Sequence, residues 1–247
     1  NCPPTFGMYP FLAGVAGART ISVPRKADFS PDVDGIEARF AEQESPKLVF
    51  ITSPNNPDGS AIDRDDLLRL LELPAVIVVD QAYVEFGGTD FAPLVPQYAN
   101  LIVMRTFSKW AGLAGLRVGY GIFPAEIIQH LFKIKQPYNV NAAAQAAVLA
   151  SLEDVGYLKE RVNTIVAERA RLYQGLVEID YLAPYPSHSN FILNRVHGRD
   201  AGELKQTLEQ RGILVRYYRT PGLQDCIRIT VGTPEQNARV LGALKEL

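Results

Sequence analysis

Four short runs rich in branched apolar residues, the last three of them without alternation, limit what this chain can become. They are ARTISV (18–23), KLVFIT (47–52), AVIVVD (75–80) and NLIVMRT (100–106). Alternation would mark a sheet with one wet face. Continuous Val and Ile mark strands buried on both faces, as parallel strands are when helices cover them. Helical patterns fall between the runs. Residues 31–43 open with Pro31 directly after Ser30, a side chain that can cap a helix N-terminus. DRDDLLRLL (63–71) carries acidic residues in its first turn and then an apolar stripe. This alternation predicts an α/β fold built on a mostly parallel, doubly wound sheet. RVGYGIF (117–123) adds a further strand.

The C-terminal part has a different rhythm. From 141 to about 175 the helical pattern is nearly unbroken: Ala-rich NAAAQAAVLASLED precedes VGYLKERVNTIVAERARLYQGL, with apolar residues near 3.6 spacing. A long helix here would link two domains. NFILNR (190–195), ILVRYY (213–218) and CIRITV (226–231) read as strands, and 199–210 and 234–247 as helices. The expectation is a large domain over 1–155 and a smaller C-terminal α+β domain, with its linking helix, over 156–247.

Composition narrows the function classes. With 47% hydrophobic residues among 247, the chain can bury a sizeable core. A formal net charge of -2 leaves no footprint for nucleic acid. No apolar run reaches the ~18 residues of a membrane span. Cys2 and Cys226 form no motif, and the 3 histidines lack metal-ligand spacing. No metal is therefore expected, and a reducing cytoplasm fits best. The opening NCPPTFGMYPF has neither an initiator Met nor a signal-peptide shape. It reads as the middle of a domain, with an N-terminal segment missing.

Ligands of open α/β sheets bind beyond the carboxyl ends of the strands, so the residues that close each run carry the argument. KLVFIT is followed by SPNNPDG (53–59), AVIVV by DQAY (80–83), and NLIVMRT by Phe107-Ser108-Lys109, with Arg117 farther on. Each has an ordinary explanation: an Asx-rich turn, an acid paired with a helix terminus, a lysine that snorkels to water. Together they form a constellation. PPTFGMY, SPNNPDG, VVDQAYVEF, RTFSKWAGLAGLRVGY and IRITVGT resemble the fold-type I pyridoxal-phosphate aminotransferases, and among them the histidinol-phosphate aminotransferases.

The resemblance implies a role for each residue. Lys109 would form a covalent C=N link with the aldehyde of pyridoxal 5'-phosphate and then serve as acid and base. Asp80 would pair with the pyridine N–H. Tyr83 and Asn56 would hydrogen-bond the ring oxygen, and Phe6 would stack on the ring. Thr106, Ser108 and Arg117 would hold the phosphate, Arg117 by a planar fork. Arg228, with Arg216 as a second contact, would bind the distal anion of the substrate. The glycines after Lys109 do not make a G-x-G-x-x-G loop, and would let Arg117 turn back to the phosphate. The sequence departs from the family at Asp58, Gln81 and Trp110, and Trp110 would narrow the site.

The implied activity is transamination of histidinol phosphate with 2-oxoglutarate, by a homodimer acting on a small-molecule amino donor and a 2-oxo acid. Aromatic-amino-acid transamination and phosphothreonine decarboxylation stand as alternatives on the same scaffold. Outside catalysis, an aminotransferase-like regulatory binding domain or an inactive interaction module remains.

Overall fold

The computed structural model describes residues 1–42 and 46–247. Helices α1 (Met8–Val15) and α2 (Val33–Ala41) precede β1 (Leu48–Thr52). Then follow α3 (Arg64–Leu71), β2 (Val76–Asp80), β3 (Leu101–Thr106) and β4 (Gly119–Ile122). Strands β1, β2 and β3 pair in parallel, and β4 closes antiparallel on β3, in the order β1-β2-β3-β4. The expected α/β class and mostly parallel sheet are observed. Val33 and Ile36 of α2 and Leu67, Leu70 and Leu71 of α3 bury against Ile51, Ile77, Val79 and Val103. Each such side chain contributes about 1.5–3 kcal/mol on burial. Their packing fixes where the strands end, and so where Thr52, Asp80 and Thr106 emerge.

Helices α4 (Ala125–Ile134), α5 (Ala142–Glu153) and α6 (Val155–Val177) lead to β5 (Leu182–Pro184) and β6 (Phe191–Val196). The chain ends with α7 (Ala201–Gln210), β7 (Arg216–Tyr217), β8 (Cys226–Thr230) and α8 (Pro234–Lys245). The second sheet is antiparallel, in the order β5-β6-β8-β7. Leu172 and Leu176 of α6, Leu204 and Leu208 of α7, and Val240 and Leu244 of α8 pack on Ile192, Ile227 and Ile229. Helix α8 opens with a capping box between Thr233 and Gln236. Two smaller clusters join the halves. Phe29 packs with Leu193, Leu223 and Cys226, and Tyr83 and Phe86 pack with Val162 and Phe191.

Several expected elements differ. Residues 18–23 are extended but form no regular strand. Their partners are residues 1–3, through Asn1 N to Ile21 O (3.0 Å), Val23 N to Asn1 O (3.0 Å) and Arg25 N to Pro3 O (2.8 Å). Pro3 and Pro4 have no N–H to continue that ladder. Helix α2 is capped by Asp32, which accepts from Gly35 N (3.2 Å), and not by Ser30. The amide and hydroxyl of Ser30 both donate to Asp28, at 2.9 and 2.7 Å. The expected end of this helix at Gln43 lies outside the described residues. The long helical stretch breaks at Asp154, whose carboxylate caps Tyr157 N (3.4 Å) and starts α6 as a separate helix. The strand expected over 213–218 shrinks to two residues because Ile213 N still bonds Leu208 O (2.9 Å), finishing the α7 turn.

Arg25 locks the loop after β1. It is buried, and its guanidinium donates to the carbonyls of Cys2 (3.2 Å), Phe29 (2.8 Å) and Thr52 (3.2 Å) and to the Ser60 hydroxyl (3.2 Å). Burial lowers its proton affinity, opposed first by the charge of Asp58. Replacing Arg25 by Met removes a donor from four acceptors and takes away the positive charge that acts on the buried Asp58 carboxylate. The Arg25→Met chain is expected to lose about 3–5 kcal/mol, read as a lower midpoint in urea denaturation.

Candidate active site

The carboxyl ends of β1, β2 and β3 gather the polar residues that close each strand. After β1, two adjacent asparagines divide the work. Asn55 is fully buried, accepts from Thr5 Oγ1 (2.7 Å), and donates to Pro4 O (3.1 Å) and to the Asp58 carboxylate. Its neighbour Asn56 faces the second sheet, where its Oδ1 accepts from Arg228 Nη1. Asp58 also accepts from Ser60 N (2.7 Å), so this departure from the family pattern is a closed turn. Gln81 is likewise satisfied, by Thr89 O (2.7 Å) and Arg105 (3.2 Å).

Asp80 ends β2. Its Oδ1 accepts from Ala82 N (2.9 Å), and its Oδ2 accepts from the hydroxyl of Tyr9 on α1. Burial raises its pKa, and these two hydrogen bonds oppose the rise. Tyr83, three residues on, is buried edge-on against Phe191 of β6, with centroids 5.2 Å apart. Lys109 Nζ stands 5.5 Å from the Tyr83 ring centroid. On the far side, Arg228 Cζ lies 4.4 Å from the Phe191 centroid. Lys109, Tyr83, Phe191 and Arg228 thus form one contiguous row.

Burial first, then the cations Arg228 and Arg117, push the Lys109 amine below its ordinary pKa. After β3, Thr106 Oγ1 donates to Ser108 Oγ (2.9 Å) and accepts from Ser108 N (3.0 Å), which presets the two hydroxyls. Gly112 takes a φ of +69° in the turn that follows. Arg117 itself adopts the left-handed region at φ 55°, with Nη1 on Ala114 O (2.8 Å). The return of the chain is therefore made at Arg117 as well as at a glycine. A non-glycine residue held in that region carries strain of about 1–3 kcal/mol. Gly119 lets β4 approach closely, because a Cβ there would lie 2.6 Å from Arg105 O.

Arg216 and Arg228 sit directly opposite each other in the β7–β8 pairing. Tyr218 lies beside both, with its centroid 5.6 Å from Arg216 Cζ and 6.0 Å from Arg228 Cζ. Arg228 Nε is buried without a partner. A cavity of about 680 Å³ is lined by Phe6, Asn56, Arg216, Tyr218 and Arg228. Phe6 is 44% exposed, so its ring face is available. Trp110 is not among the residues that line this cavity. It packs on Phe107 (5.6 Å) and lines a separate one with Glu85 and Arg105.

The sequence reading missed Tyr9, Tyr218 and Phe191. The first two had a signal: Tyr9 is one helical turn from Phe6, and Tyr218 is two residues past Arg216. Phe191 had none, because its contact with Tyr83 spans the two sheets. Among the described residues, no group of three or more His, Cys, Asp or Glu is placed to hold a metal ion. No described helix is long and apolar enough to cross a membrane.

Comparison with known proteins extends this geometry. The chain is 51% identical over 248 residues to histidinol-phosphate aminotransferase 1, chloroplastic, of Arabidopsis thaliana, covering 100% of this chain and 59% of that protein. It therefore spans about three fifths of that relative's length. The crystal structure of the histidinol-phosphate aminotransferase from Clostridium acetobutylicum matches with a TM-score of 0.91 at 26% identity, over 99% of this chain and 76% of that one. That of the Sinorhizobium meliloti enzyme, in complex with pyridoxal-5'-phosphate, matches with a TM-score of 0.87 at 29% identity, over 98% and 67%. The family model for aminotransferase class I and II matches residues 1–244, and the chain belongs to that family.

Proposed function

We propose that this chain carries the cofactor and substrate site of a pyridoxal 5'-phosphate-dependent histidinol-phosphate aminotransferase. It would transfer the amino group of histidinol phosphate to 2-oxoglutarate. The carrying observation is the row from Lys109 through Tyr83 and Phe191 to Arg228, with Asp80 at the strand end beside it. The donor set fits the cofactor: a lysine with a depressed pKa, a half-buried carboxylate, two preset hydroxyls and a guanidinium. When bound, the cofactor supplies an electron sink for the pair left at the substrate Cα.

The protein's own groups divide the work around it. Lys109, made less basic by burial and by Arg228, attaches the cofactor and takes the Cα proton. Asp80 would pair with the ring nitrogen and favour its protonated form. Tyr83 and Asn56 would hydrogen-bond the ring oxygen, and Phe6 would cover a ring face. Thr106, Ser108 and Arg117 take the phosphate. Arg216 and Arg228 take the distal anion of the substrate. Like charges directly opposite on neighbouring strands are destabilising, so this pair is relieved by an anion between them.

A homodimer is also proposed, supported by large apolar side chains left exposed on α1 (Phe11, Leu12, Val15) and near α4 (Phe132, Ile134, Tyr138). The two sheets with separate cores support the division into 1–155 and 156–247. Both cysteines are unpaired and buried, which supports a reducing cytoplasm.

The test uses the full-length protein. Loaded with cofactor, it is expected to show a visible absorption band. Histidinol phosphate should bleach the band with release of one equivalent of oxo product, and phenylalanine and phosphothreonine should not. Lys109→Ala is expected to abolish cofactor attachment reducible by borohydride. Bleaching by phenylalanine alone, or carbon dioxide release from phosphothreonine, would overturn the assignment.

Two further outcomes follow from the charges. Because Arg228 helps hold the Lys109 pKa down, Arg228→Gln is expected to raise it. The acid limb of the cofactor-attachment rate then moves to higher pH, which stopped-flow absorbance would detect. Asp80 has a pKa raised by burial, so its charged form costs stability above that pKa and the cost disappears as pH falls through it. Asp80→Asn is therefore expected to unfold at an equal or higher urea concentration than wild type at neutral pH. Its turnover should nevertheless fall by about 10²-fold or more, since Asn cannot keep the ring nitrogen charged.

A further inference from the structure

We propose that Tyr9 is a positioning residue for Asp80, its phenol holding one carboxylate oxygen charged and at a fixed angle toward the ring site. This rests on the reading above, in which Asp80 faces the ring nitrogen. Tyr9 occupies the second position of α1. Its ring is stacked on Phe50 of β1, with centroids 5.0 Å apart and 24° between planes. Phe6 meets it edge-on at 5.7 Å. The aromatic body is thereby clamped, and the hydroxyl has one direction left.

That direction is set by a chain of hydroxyls. Thr5 Oγ1 donates to Asn55 Oδ1 (2.7 Å) and lies 3.0 Å from Thr52 Oγ1. Thr52 Oγ1 donates into the Tyr9 oxygen (3.3 Å), so the single phenolic hydrogen goes to Asp80 Oδ2. Asp80 Oδ1 is held by Ala82 N (2.9 Å). Each carboxylate oxygen has one protein donor, and the plane of the group is fixed.

No described cation compensates Asp80. The groups that face it are Tyr9 from α1 and Tyr83 from the turn after β2, both neutral, and Arg25 acts on Tyr9. Burial without a counter-charge drives a carboxyl toward its neutral form. A neutral Asp80 could not favour a protonated ring nitrogen. The Tyr9 donor is what opposes this, and a hydrogen bond to a charged group is the strong kind. The mere-packing explanation for Tyr9 predicts that Phe would serve as well.

The test compares full-length wild type with Tyr9→Phe, which keeps the ring stack, and Phe50→Leu, which loosens the stack and keeps the phenol. In cofactor-free protein carrying ¹³C-carboxyl aspartate, NMR titration should show the Asp80 midpoint moved upward in Tyr9→Phe and little moved in Phe50→Leu. With ¹⁵N-labelled pyridoxal 5'-phosphate, the ring-nitrogen resonance should shift toward the unprotonated position in Tyr9→Phe, and cofactor affinity should fall about ten-fold. An unchanged Asp80 midpoint in Tyr9→Phe, or an equal shift in both variants, overturns the proposal. A wild-type protein that binds no cofactor overturns the functional reading instead, and the cofactor-free titration still decides Tyr9.

Discussion

The hydrogen bond from Arg228 to Asn56 joins positions 172 residues apart and sets one sheet against the other. It adds to the two hydrophobic clusters, around Phe29 and around Tyr83, that already join the halves. With it, a row of side chains runs from Lys109 to Arg228. Arg25 fastens the loop that carries Asn56 from behind, and Asn55 anchors it from below. The loop is thus rigid on its hidden side and keeps one functional side chain on its open side. Precision at the site comes from these buried supports rather than from the exposed residues themselves.

Burial acts oppositely on the two groups that chemistry needs. It weakens the charged form of both, so the lysine becomes a better nucleophile and the aspartate a worse anion. Under the proposed function, the first change would serve the reaction directly. The second works against it, and hydrogen bonds to both carboxylate oxygens counter it. Groups pushed in opposite senses at neighbouring strand ends are what the proposed acid–base work would need. The same arrangement weakens the fold locally, as does the left-handed Arg117.

Much of the architecture was legible because it rests on local pattern. The unalternated Val and Ile runs gave β1, β2 and β3, and their closing residues pointed to Asn56, Asp80 and Lys109. What failed depended on competition between neighbours. Ser30 reads as a cap until Asp28 claims both its donors, and Asp154 is one residue within a convincing helix. Residues 18–23 have strand composition, yet the prolines opposite them cannot sustain a ladder. Helices α1 and α4 and the short β5 went unread. Tyr9 and Phe191 escaped because their meaning lies in contacts across the fold, which no periodicity encodes.

Under the proposed function, the paired arginines would let one pocket serve two substrates. Guanidinium forks donate to a carboxylate or a phosphate with the same planar geometry, so on that reading the pocket would not need rebuilding between half-reactions. What must change is the distance between the forks, since the two anions differ in size and charge. Arg228 is fixed by Asn56 and Phe191, whereas Arg216 rests on Tyr218 at the edge of the sheet. Strand β7 is only two residues long, and a short edge strand yields more easily than a central one. The adjustable partner is therefore Arg216. Arg228 also acts on Lys109, so on the proposed function its movement would alter the amine as well as the substrate contact.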